Sequence, residues 1–226
     1  MVSERASAKI KSAIVRVLRP VLPSVWDRAY LFYRHAFYNK AGVIFCHVPK
    51  NAGSKINFAL YGRRLGHIRL SQLIRENKKR LPILAVWREP IERFLSACAY
   101  ARGGGGTDGI IADAELYRGM NGPSDFLNYL QNLPEARRDP VFRSQSYYFD
   151  VSPSEIGRGG LVICRLSELM KLESLKWFRR SGINFSTRRN VSEKITMEQS
   201  NADIQRIEAF YADDYGIPDR FKSCFL

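Results

Sequence analysis

The sequence predicts an α/β protein, a three-layer α/β/α domain on a mostly parallel central sheet, and three observations carry that expectation. Residues 43–46, 82–87 and 161–165 are short, nearly uninterrupted apolar runs, the pattern of strands buried on both faces. Each run is followed by a stretch whose apolar positions recur at helical spacing. The first two lead into Lys50 and Arg88, and open parallel sheets bind ligands beyond the carboxyl ends of their strands.

At 226 residues the chain is long enough for one sizeable core. The expected division is a basic, amphipathic helical extension over 1–40 and a single domain over 41–226. A formal net charge of +14 calls for anionic partners, whether nucleotide, acidic glycan, nucleic acid or membrane surface, without choosing among them. Cys46, Cys98, Cys164 and Cys224 are widely spaced, with no Cys-x-x-Cys pair. Buried, reduced thiols and a cytosolic compartment are expected from that, rather than a metal site or a disulfide framework. No stretch approaches the roughly 20 apolar residues that span a bilayer, and no signal peptide is visible.

In the extension, Ile10, Ile14, Val17, Leu18 and Val21 recur at helical spacing, and Arg5, Lys9, Lys11, Arg16 and Arg19 fall mostly off that stripe. Two readings stay open: a helix lying on an anionic membrane, or one packed on the main domain with a solvated outer face. Pro20 and Pro23 end it, and the aromatic-rich 26–38 is expected to dock onto the core.

Between the first run and the apolar-rich 56–60 stands His47-Val48-Pro49-Lys50-Asn51-Ala52-Gly53-Ser54, which reads as a strand end, a tight loop and a helix entrance. At such a junction the first helical N–H groups lack internal partners and the helix dipole favours an anion. Lys50 adds a full charge and Gly53 permits close backbone approach. The order is not that of a Walker A loop, where lysine follows a glycine and precedes the hydroxyl residue. Ser71 is expected to cap a short helix reaching Arg80.

The second run continues into Arg88-Glu89-Pro90-Ile91-Glu92-Arg93-Phe94-Leu95-Ser96. Pro90 suits a first helical turn, Ile91, Phe94, Leu95 and Cys98 make an apolar stripe, and Ser96 lies off it. The glycine-rich 103–109 is read as a lid, an acceptor loop or a plain connection. A helix is expected over 125–133, stopped by Pro134. Arg137, Arg138 and Arg143 with Tyr147 and Tyr148 suit either an anionic sugar or an exposed charge run beside core tyrosines. Ser167-Glu168-Leu169 should open an amphipathic helix ending near Gly182. A last helix over 197–211 precedes Asp213-Asp214-Tyr215, for which packing is the expected role.

The first motif resembles the 5′-phosphosulfate loop of sulfotransferases that use 3′-phosphoadenosine 5′-phosphosulfate (PAPS), especially their carbohydrate branch, which includes the heparan sulfate 2-O-sulfotransferases and bacterial sulfotransferase family 2 proteins. Their pattern is Pro-Lys-Thr-Ala-[Gly/Ser]-Thr-Ser. Here Asn51 takes the first threonine's place, Ser54 stands where threonine or serine occurs, and Lys55 where serine is frequent. The second motif is similar to that family's 3′-phosphate motif, Arg-Asp-Pro-x-x-Arg-x-x-Ser, with Glu89 for aspartate.

The resemblance implies a P-loop-like sulfotransferase fold in which Lys50, Asn51, Ala52, Gly53, Ser54 and Lys55 hold the 5′ side of the donor. Arg88 and Ser96 would hold its 3′-phosphate, and Arg189 and Asn190 would lie in a basic loop closing over the nucleotide. Gly66-His67-Ile68 is similar to the segment that carries the family's proposed base. His67 and Lys50 are therefore the implied catalytic residues, with a surface-loop role for His67, or Glu92 as base, as alternatives. His47 would brace the loop, and His35 would be structural.

The activity implied is transfer of a sulfuryl group from PAPS, without a metal, to a hydroxyl of a carbohydrate or lipid-linked glycan. The implied place is the cytoplasm, at most peripheral on the inner face of an anionic membrane, and no nucleic-acid partner is expected. Two rivals are a P-loop kinase or ATPase and a polyanion-binding module without chemistry. The first needs a hydroxyl beside the lysine and an aspartate at a strand end, where this chain has Asn51 and Trp87-Arg88. The second explains the charge but not the paired motifs.

Overall fold

The computed structural model describes residues 23–105, 111, 113–157, 159–179, 185 and 199–226. The chain divides after Ala41 into two compact units. In the first, Pro23 opens α1 (Pro23–Ala41), at a position where its missing N–H costs nothing. Tyr30, Tyr33 and Phe37 line one side of α1 at helical spacing, with ring centroids 6.2 and 5.1 Å apart, and the Arg34 guanidinium lies 4.9 Å from the Tyr30 ring. The stripe expected over 10–21 lies outside the described residues.

The second unit is built on a parallel three-stranded sheet in the order β1 (Ile44–Cys46), β2 (Ile83–Trp87), β3 (Leu161–Arg165). Ile44 pairs with Ile83, and Ile83 with Leu161, so the three strands end near one level at Cys46, Trp87 and Arg165. All of β1 and β2 is buried, which is why their sequences run apolar without alternation. The outer edge of β3 bridges to Phe225, and the Leu226 N–H donates to the Ile163 carbonyl at 3.0 Å.

The β1–β2 connection carries α2 (Gly53–Tyr61) and α3 (Leu70–Glu76). Ser71 does not cap α3, which begins one residue earlier because Asp150, far along the chain, accepts from both the Ser71 N–H (2.9 Å) and its hydroxyl. The helix stops at Glu76, where Asn77 turns the chain by exchanging hydrogen bonds with the Leu81 backbone.

After β2 come α4 (Pro90–Arg102), α5 (Ala114–Arg118), α6 (Pro123–Leu130) and the one-turn α7 (Gln145–Tyr148). Phe94, Ala97, Cys98 and Ala101 of α4 join Tyr117, Phe126 and Phe142 in a buried cluster that holds α4 against the rest of the unit. Beyond β3, a run of 3-10 helix, Leu166–Ser174, kinked at Glu168 where φ is −110°, stands in place of the expected amphipathic α-helix. The last segment forms α8 (Asn201–Phe210), α9 (Ala212–Tyr215) and α10 (Ile217–Arg220). Ser200 starts α8 with a capping box to Asp203.

Cys46, Cys98 and Cys164 are buried, and all four cysteines are free thiols. Burial pushes the Cys46 thiol up to about 12 and Cys164 up to about 11, so neither is a ready nucleophile. Among the described residues no helix is long and apolar enough to cross a membrane.

Candidate functional site

The carboxyl ends of β1 and β2 lead directly into the two motifs. After β1 the chain turns through Lys50 at φ 68° and Ala52 at φ 57°, left-handed conformations that are uncommon without glycine. Ala52 is the N-cap of α2 and has no side-chain oxygen, so the cap gives the first helical amides no acceptor. After β2, Glu89 precedes α4, its side chain accepts no cap hydrogen bond, and Pro90 occupies the first turn. Two helix N-termini without side-chain caps thus stand next to adjacent strand ends, each beside a cationic side chain.

The two turns meet. The Arg88 guanidinium donates through Nη1 to the Lys50 carbonyl at 3.0 Å, and its Nε lies 3.5 Å from the Glu92 carboxylate. Lys50 is half-buried, with Nζ 4.1 Å from the Tyr100 ring centre. Burial lowers the Lys50 ammonium to about 8, and the charges of Arg88 and Arg64 add to that. A cation held this way is short of counter-charge and suits an anion that shares the space.

Asn51 explains how the loop is fixed to the sheet. It is fully buried, and its Nδ2 donates to the Val86 carbonyl and to Gln145 Oε1, both at 2.7 Å. Gly53 is required for a different closeness from that expected at a ligand. A Cβ there would lie 1.8 Å from Cδ2 and 1.9 Å from Nε2 of His47, so the approaching group is an imidazole of the protein itself.

His47 is buried and acts as the brace. Asn57 Nδ2 can only donate, so at 3.1 Å it assigns His47 Nδ1 as acceptor, which leaves the ring proton on Nε2. Burial, followed by the neighbouring His67, holds His47 well below the ordinary histidine value, in its neutral form.

His67 lies against it, with ring centroids 4.1 Å apart. Its Nδ1 is 3.0 Å from the His47 carbonyl, which can only accept, so Nδ1 carries the proton and Nε2 keeps its lone pair. Although the residue reaches solvent, protein packed around the ring lowers its pKa, the His47 carbonyl opposes that, and Arg64 reinforces it. A neutral imidazole with a free Nε2 is the form a general base needs.

The remaining expected residues are placed as follows. Ser54 and Lys55 are half-buried in the first turn of α2, and Lys55 Nζ lies 5.1 Å from the Phe185 ring. Ser96 is half-buried on α4, and no hydrogen bond joins it to Lys50 or Arg88 among the described residues. Arg189 and Asn190 lie outside the described residues, as does most of 103–109. The basic, aromatic cluster divides: Arg69 and Arg143 each place a guanidinium 5.1 Å from the Tyr147 ring, whereas Arg138 stacks on Phe210 and Tyr148 is buried.

A small hollow of about 70 Å³, with Arg88, Glu92 and Arg165 in its wall, opens at the carboxyl ends of β2 and β3. The larger hollow, about 450 Å³, lies at the opposite end of the sheet against Leu81, Ile83 and Gly160. Size favours the second, which has Arg80 in its wall, but Lys50, Arg88, Arg165 and the helix N-termini belong to the first end, and charge decides where a phosphorylated ligand would sit.

Gln145, Asn57 and Asp214 were not marked as functional by the sequence, and Arg93, at the second arginine of the 88–96 motif, was given no role. Asp214 is fully buried and accepts from the Gln145 and Ser146 N–H groups at 2.9 and 2.8 Å, with Arg93 at 3.9 Å. Burial raises its pKa while Arg93 and the two amides resist, and donors at both oxygens suit a carboxylate. The expected packing role of 213–215 is therefore also electrostatic. Compared with family models, curated proteins and solved structures, the chain matches none of them.

Proposed function

We propose that this protein is a PAPS-dependent sulfotransferase acting on a hydroxyl of a carbohydrate or glycolipid, with residues 42–226 forming a three-layer domain of P-loop-like sulfotransferase fold. The observation that supports this most is the meeting of the Lys50 loop with Arg88 at neighbouring strand ends, beside two helix N-termini without side-chain caps. A donor carrying phosphate groups at both ends of a nucleoside suits two such cationic turns. Bound there, PAPS would supply the activated sulfuryl group.

The chain's own residues then have distinct tasks. Lys50 and the first amides of α2 oppose the negative charge that develops on the leaving phosphate oxygen, which is where fixed positive charge accelerates transfer. Arg88 holds the 3′-phosphate that separates PAPS from ATP. His67 Nε2 takes the proton of the acceptor hydroxyl while Nδ1 stays tied to the His47 carbonyl. The acceptor's place is the face around His67, where Tyr147 carries guanidinium groups from Arg69 and Arg143. A cytoplasmic location, with peripheral contact to an anionic membrane through the basic extension, belongs to the same proposal.

Calorimetry with adenosine 3′,5′-bisphosphate, AMP and ATP tests the reading. Tight binding of the bisphosphate alone, lost in Arg88→Ala, is expected. Equal affinity for AMP would remove Arg88 from the 3′-phosphate. An activity that consumes ATP and requires magnesium would replace the proposal with a kinase or ATPase, and steeply salt-dependent binding to any polyanion would replace it with a binding module.

A further inference from the structure

Gln145 lies on α7, a single helical turn far in sequence from both motifs, and it is fully buried. Every polar atom of its amide is engaged with them. Oε1 accepts from Asn51 Nδ2 at 2.7 Å and from the Arg88 N–H at 3.0 Å, while Nε2 donates to the Arg88 carbonyl at 2.7 Å. Two donors on one side and a carbonyl on the other assign the amide orientation uniquely. The side chain therefore pairs with the Arg88 peptide groups much as a neighbouring strand would, and with its third bond grips the phosphate loop.

The grip matters because Asn51 has few other holds. Its Oδ1 is buried with no hydrogen-bond partner among the described residues, so its orientation rests on the two acceptors of Nδ2, the Val86 carbonyl and Gln145. Gln145 is fixed in turn. Its own N–H donates to Asp214, which also receives the Ser146 N–H and lies beside the buried Arg93 of α4. A chain of contacts thus runs from α9 through α7 to both strand-end turns.

We infer that Gln145 is a positioning residue that sets the spacing between the Lys50 loop and the Arg88 turn, so that one doubly phosphorylated nucleoside engages both at once. The inference rests on the sulfotransferase reading and adds to it the element that couples the two grips. Its signature is a chelate effect: two sites at fixed separation bind a ligand carrying both groups far more tightly than either group alone, typically by about 10² to 10⁴, and lose that excess when the separation is no longer held.

Competition calorimetry on the full chain, with adenosine 5′-monophosphate, adenosine 3′-monophosphate and adenosine 3′,5′-bisphosphate, reads this directly. In Gln145→Met, which keeps the volume and removes all three bonds, the loss for the bisphosphate should exceed the product of the losses for the two monophosphates by about tenfold. Gln145→Glu retains the acceptor toward Asn51 and the Arg88 N–H but not the donor to the Arg88 carbonyl, and should show a smaller excess. Thermal midpoints are recorded for both, and if the Met variant does not fold, the Glu variant decides. A loss no greater than that product, in a folded variant, overturns the positioning role and leaves the sulfotransferase reading standing. A wild-type protein that binds the bisphosphate no more tightly than the better monophosphate overturns both.

Discussion

Replacing Gly53 with alanine is a test of the site's construction that needs no ligand. The added Cβ would stand 1.8–1.9 Å from two atoms of the His47 ring, about half an ordinary contact distance, and that ring is buried and hydrogen-bonded to Asn57. Forcing such a group aside costs about 1–3 kcal/mol as overpacking. Losing the Asn57 hydrogen bond adds about 0.5–1.5 kcal/mol. Alanine's better helix propensity at the start of α2 returns at most about 1 kcal/mol. With an overlap this deep, a net destabilisation of about 2–4 kcal/mol is expected in urea unfolding. The same substitution in a His47→Ala background should cost less than about 0.5 kcal/mol, because the obstacle is gone while the backbone carbonyl that holds His67 remains. Equal cost in both backgrounds would refute the reasoning and assign Gly53 some other constraint.

Other consequences can be measured on the same protein. His67→Ala should lower turnover by about 10² to 10⁴ with the bisphosphate affinity nearly unchanged, and retained turnover excludes it as the base. The pH profile of kcat/KM, which reports the free enzyme, should be bell-shaped. Its acid limb lies below the ordinary histidine value of 6.5, because His67 must be neutral and its pKa is lowered, and its alkaline limb falls near 8 as Lys50 loses its proton. Asp214→Ala should destabilise the fold by about 3–5 kcal/mol in denaturant titration, since it leaves the fully buried Arg93 without its counter-charge and two amides without their acceptor.

Much of the frame was legible because it is written locally. The three strands were visible as apolar runs within a residue of their ends, and the two motifs as charged turns following them. The tautomer of His67 was not, since it depends on a carbonyl of another loop, although the Gly66-His67 neighbourhood did single the residue out. Gln145 stood out in sequence only as the middle of Ser144-Gln145-Ser146 within the basic, aromatic cluster, and nothing there tied it to its partners Arg88 and Asn51, which lie 57 and 94 residues away. Ser71 misled because its hydrogen-bonding partner, Asp150, comes from beyond β2 rather than from its own helix. Local propensity is a weak guide wherever a distant carboxylate supplies the cap.

The far border of the sheet has a practical meaning. A strand flank left open is an invitation to a second chain, and here Phe225 and Leu226 fill that place, with the Arg165 guanidinium held between the Trp87 and Phe225 rings as a clasp. Replacing those two residues with prolines, which cannot donate to the strand, would unzip the flank beside β2, whose tip carries Arg88. Self-association would then follow, and on the proposed reading the hold on the nucleotide would weaken with it.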